Sequence, residues 1–173
     1  GVQFKMNGAP EGSEDKVSPY SFAWKVSVIP DGEYAITATA RDMSGNSSSS
    51  PARRVTVDRT PPQISNVSAA ATTSSATITW ATNEPSLPLV QYGLTTSYGL
   101  SKSGPSYNTQ HSLTLTNLKS GTLYHYKIKV QDKIGNIAFS PDHTFTTTLP
   151  PPSTKFFLND RVRTTTNLTV RST

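Results

Sequence analysis

The chain of 173 residues contains no cysteine. Disulfides, thiolate metal sites and cysteine nucleophiles are thereby excluded, and any fold must be held by packing alone. Helical periodicity is missing as well: no window carries apolar residues at i, i+3, i+4 and i+7 over three turns. Nor does any apolar run approach the ~18 residues of a membrane-crossing helix. Acidic residues are scarce in the later part of the chain. Residues 1–60 balance seven basic against seven acidic side chains, but 61–148 hold five Lys against Glu84, Asp132 and Asp142. Residues 149–173 hold Lys155, Arg161, Arg163 and Arg171 against Asp160. The net charge of +5 therefore belongs largely to the tail, which argues against a nucleic-acid groove on a folded domain. The chain opens at Gly1-Val2-Gln3-Phe4 without an initiator Met, so the lack of a signal peptide carries no information.

What is present is β-forming. Ser and Thr crowd the chain, and Thr suits a half-buried pleated surface. Thirteen prolines fall mostly between strand-like runs. The clearest run is Leu118 to Asn136, where Tyr124, Tyr126, Ile128 and Val130 alternate with His125, Lys127 and Lys129. A side-chain period of two puts the first set on a buried face and the second in water. Tyr20, Phe22, Trp24, Val26 and Val28 form another strict alternation and read as a strand with a core face. Ala76, Ile78 and Trp80 form a third; Asn83 to Pro88 then reads as loop. Asp58-Arg59-Thr60-Pro61-Pro62 reads as a boundary, because paired prolines cannot donate to a ladder. The expected organisation is one β-unit over 1–58, a second over 61–148, a stiff Pro-rich linker over 149–154, and a new module beginning over 155–173.

The chain also repeats itself. A shift of 90 residues places Tyr34 on Tyr124, Asp42 on Asp132, Gly45-Asn46 on Gly135-Asn136, and Ser50-Pro51 on Ser140-Pro141. Shared spacing of strand, turn and following Pro means two copies of one hairpin, and the period fits a sandwich domain of ~100 residues. By the same ruler the first unit is expected to lack two leading strands. It is expected to leave a core face and a strand edge open.

Residues 61–148 resemble a fibronectin type III domain. The likeness rests on Trp80 ending its strand and on Leu118, Gly121, Tyr124, Tyr126, Ile128 and Val130. It implies that Trp80 centres the core and that the Tyr124 hydroxyl bonds back to nearby backbone, as in a tyrosine corner. The stretches TWATNEPS and VQYGLTTSYG are similar to the bacterial form found beside secreted hydrolases and to the N-terminal module of purple acid phosphatases. Residues 1–58 resemble the later part of a bacterial immunoglobulin-like domain, through GVQFKMNG, PYSFAW, DGEY and ATARDMSGN. Residues 155–173 resemble the opening of a bacterial Src-homology-3-like wall-binding module. Together these imply an all-β chain of tandem sandwiches, the first without its leading strands. They also imply an exported bacterial surface protein, with cell-wall or extracellular polysaccharide or another surface protein as partner.

Chemistry is hard to find. His111, His125 and His143 lack metal-ligand spacing and read as surface histidines. No G-x-S-x-G elbow, H-E-x-x-H, phosphate loop or calcium loop occurs, and no run supplies the metal ligands of a phosphatase. Asp42-x-x-Gly45-Asn46 and Asp132-x-x-Gly135-Asn136 read as turns, since one Asp per loop is too few for Ca²⁺. Tyr98 and Tyr107, in loops, are the aromatics best placed for a ligand, whereas Tyr20, Phe22 and Trp24 read as core. Lys127 and Lys129 read as a solvated face that discourages edge pairing, with an anionic polymer as the alternative. The triplets at Asn46, Asn66 and Asn167 are expected by chance in so Ser/Thr-rich a chain. The expectation is a non-catalytic protein without catalytic, cofactor or metal residues. The alternative is the accessory region of a secreted hydrolase.

Overall fold

Alternation becomes structure wherever a partner strand lies alongside. The computed structural model describes residues 1–152 and contains two sheets. In the first, β1 (Val2–Met6) pairs antiparallel with β3 (Gly32–Arg41), and a short β2 (Ala9–Pro10) pairs with the outer side of β1. The other side of β3 carries β4 (Ser47–Ser49) and then β5 (Arg53–Val57). Register places Val2, Phe4 and Met6 opposite Ala40, Ala38 and Ile36, so one face of this sheet is apolar.

That face is poorly covered. In residues 1–58 only Val2 and Val57 count as buried hydrophobics. The segment with the strict alternation at Tyr20 to Val28 is not a strand: it runs irregularly and ends in a 3₁₀ turn, Val26–Val28. Phe22 stacks on Phe4 with centroids 4.8 Å apart, and Trp24 meets Tyr34 edge-on at 5.3 Å. Both stay half-buried, while Tyr20, Val26 and Val28 are exposed. The core expectation therefore holds partly for Phe22 and Trp24 and fails for Tyr20.

The second region starts with β6 (Ile64–Ala71) and the 18-residue β7 (Ala76–Gly93). Next come β8 (Leu100–Ser103), β9 (Asn108–Leu115), β10 (Leu123–Gln131), β11 (Ile137–Phe139) and β12 (His143–Thr146). β7 belongs to both layers of a sandwich. Its first half pairs with β6 and β9, and its second half, Leu87–Gly93, pairs with β10. The expected loop at Asn83–Pro88 is thus a bent strand, with its register against β9 shifting between Ala81 and Ser86. The expected crossing after Gly93 contains β8. Trp80, Ile78 and Leu115 from one layer meet Val90, Ile128 and Val130 from the other, all at most 2% exposed. The described residues are all-β, and those from 61 onward form a two-layer sandwich. The Src-homology-3-like resemblance at 155–173 lies outside the described residues.

Candidate functional site

The repeated Asp-x-x-Gly-Asn motif is a turn in both copies. Asp132 Oδ1 accepts the backbone N–H groups of Ile134, Gly135 and Asn136 at 2.8, 2.6 and 2.9 Å, and Oδ2 accepts the Asn136 side-chain amide at 2.7 Å. Asp42 Oδ1 accepts Ser44 and Asn46 N–H at 2.9 and 2.8 Å, and its Oδ2 takes the Asn46 amide at 2.8 Å. Gly45 and Gly135 sit at φ 89° and 111°, where a side chain would be strained.

The surroundings differ. Asp42 is exposed; Asp132 is 3% exposed and shares the junction between the regions with Asp58 and Glu84. One carboxylate oxygen from each of these three lies within 4.8 Å of the others. Burial pushes the Asp132 carboxyl up, but its hydrogen bonds from Asn136, Gly135 and Ile134 outweigh this and hold it below the usual range. Glu84 is raised, by burial first and then by the charges of Asp58 and Asp132. Motif reading missed this convergence because the carboxylates come from the end of β5, the bend of β7 and the turn after β10. Hydrogen bonds already occupy both Asp132 oxygens, while a calcium ion asks for six to eight ligands. Chemically the trio is a patch of negative potential beside the joint.

The joint itself is knitted to both sides. Arg59 donates through Nε to Asp31 Oδ1 at 2.9 Å and through Nη1 to the carbonyls of Ser27 and Val26 at 2.9 and 3.2 Å. Arg59 N and the Thr60 hydroxyl both donate to Asp31 Oδ2. These bonds, led by the Arg59 backbone N–H, lower the Asp31 carboxyl to about 2. From the second region, the Asn136 side-chain amide donates to the Asp58 carbonyl at 3.1 Å.

The histidines need one correction. His111 is 6% exposed, stacked on Trp80 at 4.9 Å, with Nε2 at 3.1 Å from Thr82 Oγ1 and 3.3 Å from Ser86 Oγ. It closes the bend in β7, and burial lowers its pKa. The outward expectation holds for His125, whose Nδ1 lies 2.8 Å from Asp142 Oδ2. His143 is half-buried against Tyr126. Tyr98 donates to Asp142 Oδ1 at 3.1 Å, which ties its loop to the same carboxylate. Lys133 Nζ stands 5.8 Å from the Tyr107 ring centroid. The implied tyrosine corner is present: Tyr124 Oη accepts the Lys119 backbone N–H at 3.0 Å.

Comparison with known proteins adds family and fold. Residues 61–147 match the family described as Purple acid Phosphatase, N-terminal domain. Residues 18–83 match Bacterial Ig-like domain (group 3), a stretch that runs through the joint. No curated protein sequence matches the chain. Among solved structures, the FN1–FN3 domains of chicken CNTN1 superpose with TM-score 0.54 at 19% identity, over 86% of this chain and 55% of that one. Titin domains A168–A170 superpose with TM-score 0.50 at 15% identity, over 86% and 54%. At such identities the likeness is one of fold. The matched families are non-catalytic immunoglobulin-like and fibronectin-like domains.

Proposed function

Through residues 61–147 the chain belongs to the purple acid phosphatase N-terminal domain family, and on that premise we propose that it is a non-catalytic spacing and presenting region of an exported modular bacterial protein. In this reading residues 1–58 and 61–148 act as two immunoglobulin-like units at the cell surface or outside the cell. They hold neighbouring modules at a set distance. The observation that supports it most is the joint. Arg59 and Thr60 are bonded to Asp31 on one side and Asn136 is bonded to the Asp58 carbonyl on the other, so the linker is held by hydrogen bonds from both regions.

Distances between spin labels at Ser48 and Thr116, both exposed, test this. A narrow distribution that broadens in Arg59→Ala supports the spacer. A native distribution as broad as that of a chain with a Gly-Ser linker in place of 58–62 would refute it.

The family match favours one further reading, that the parent protein is a secreted hydrolase and this its accessory region. The sequence coding for the flanking residues decides it: a metal-binding hydrolase domain there establishes the accessory role. In either case the chain alone should not release phosphate from p-nitrophenyl phosphate.

A further inference from the structure

Lys127 and Lys129 project from the outer face of β10, as their alternation with buried Tyr126, Ile128 and Val130 requires. A lysine there often guards a strand edge. That explanation fails here, because β10 is an interior strand with β7 on one side and β11 and β12 on the other. The neighbours in register are also unlike a solvated face. One cross-strand row reads Leu89, Lys129, Phe139, and the next reads Leu87, Gln131, Ile137. Phe139 is 53% exposed and Ile137 39%, with Lys127 Nζ 4.9 Å from the Phe139 ring centroid. At the β7 end of these rows, Leu87 and Leu89 line a hollow of about 310 Å³ together with Lys129 and Gln131. Neither lysine forms an ion pair among the described residues, and Asp142, at the far end of β10, is engaged by His125 and Tyr98.

We propose that this face is a docking surface for an acidic, extended segment of another protein, with carboxylates and bulky apolar side chains taking turns at every second residue, so that both lie on one of its faces. Charge sets the first half of that description: two uncompensated ammonium groups stand on the face with no carboxylate in the rows. Spacing sets the second. Successive outward residues of a strand lie ~6.8 Å apart and neighbouring strands ~4.8 Å apart, so an extended chain can set carboxylates on the lysines and apolar groups on Leu89 and Phe139. An anionic polysaccharide would leave the two leucines and Ile137 without apolar partners. The surface does not depend on the spacer reading, and its test makes no use of the joint.

The test titrates a synthetic peptide of about ten residues, with Glu and then Leu or Phe taking turns at every second position and Ser between them, into the ¹⁵N-labelled chain. Shifts should concentrate at 87–91, 127–131 and 137–139. Lys127→Glu with Lys129→Glu should weaken binding at least about tenfold, and Phe139→Ser about fivefold. These side chains point outward, and an unshifted Trp80 indole N–H signal would verify that the variants fold. Poly-L-glutamate should bind more weakly than the peptide. The proposal is overturned by shifts spread over other lysines, by no shifts at millimolar peptide, by unaltered affinity in the double variant, or by equal binding of poly-L-glutamate.

Discussion

Tyr34 and Tyr124 occupy the same place in two copies of one hairpin, yet their hydroxyls do different things. Tyr124 Oη accepts the Lys119 N–H from a site 5% exposed, whereas Tyr34 Oη donates to the Pro30 carbonyl at the surface. Around them the hairpins match closely. Ser50 and Ser140 each receive a strand N–H on the side-chain oxygen, from Ala38 at 3.0 Å and Ile128 at 2.9 Å, and each donates to the carbonyl of the next proline. The same local sequence folds the same way twice, but only the second copy has a layer packed over it. β6, the first half of β7 and β9 cover β10. Over β3 lie the half-buried rings of Phe22 and Trp24. The hairpin is locally encoded, and burial of its apolar face is not.

The strongest way to sharpen this contrast uses the two tryptophans, one in each region. Trp80→Ala should cost ~3–5 kcal/mol in denaturant unfolding, because Trp80 is 2% exposed at the centre of the sandwich. Trp24→Ala should cost less than ~2 kcal/mol, since its ring is already half in water. Equal losses would erase the distinction between the regions. Hydrogen exchange should show the same order, with amides of β3 opening at least ~2 kcal/mol more easily than those of β10. Uniform protection along both strands would contradict the picture of one covered and one open sheet.

Tyrosine-to-phenylalanine changes are subtler. Tyr124→Phe should cost about 1–2 kcal/mol, because the Lys119 N–H loses its acceptor beside the core. Tyr34→Phe should change stability by less than ~0.5 kcal/mol, since water can replace the bond to Pro30.

Acid titration gives the smallest and most specific effect. Asp31, lowered to about 2 from 3.8, contributes stability that is complete above its ordinary pKa and is lost as the pH falls toward about 2. Asp31→Asn should therefore flatten the acid limb of the first region's unfolding curve. Glu84 runs the other way. Its raised pKa means that ionised Glu84 weakens the fold at neutral pH, so Glu84→Gln should stabilise the second region at pH 7. That gain should vanish in acid, where native Glu84 is protonated; a gain independent of pH would show that charge is not its cause.

Much of this was readable in the residues. Alternation at Tyr124 to Val130 set β10, the 90-residue ruler set the duplicated hairpin, and the Leu118–Gly121–Tyr124 spacing implied the corner bond. Two segments depart from their sequence pattern for opposite reasons. Asn83–Pro88 has turn residues but remains in β7, because Thr82, Ser86 and His111 satisfy one another across the bend. Tyr20–Val28 has faultless alternation but no ladder partner among the described residues. A strand needs both a face to bury and a neighbour for its backbone groups. His111 is a different case. It shares the parity of Leu113 and Leu115, so the alternation in QHSLTL already sets it on the inner face. Only the polar pocket of Thr82 and Ser86 across the sheet is invisible in that stretch.

Sequence alone determined whatever depends on near neighbours: the β class, the turns at Asp42 and Asp132, the repeat, and the absence of thiol chemistry. Only the tertiary structure decided what depends on distant segments meeting. It gathered Asp58, Glu84 and Asp132 at the joint, and it placed Lys129 between Leu89 and Phe139. Parity says which side of a strand a residue takes, but strand order and register say who stands beside it, and those are set by the packing of the whole sheet.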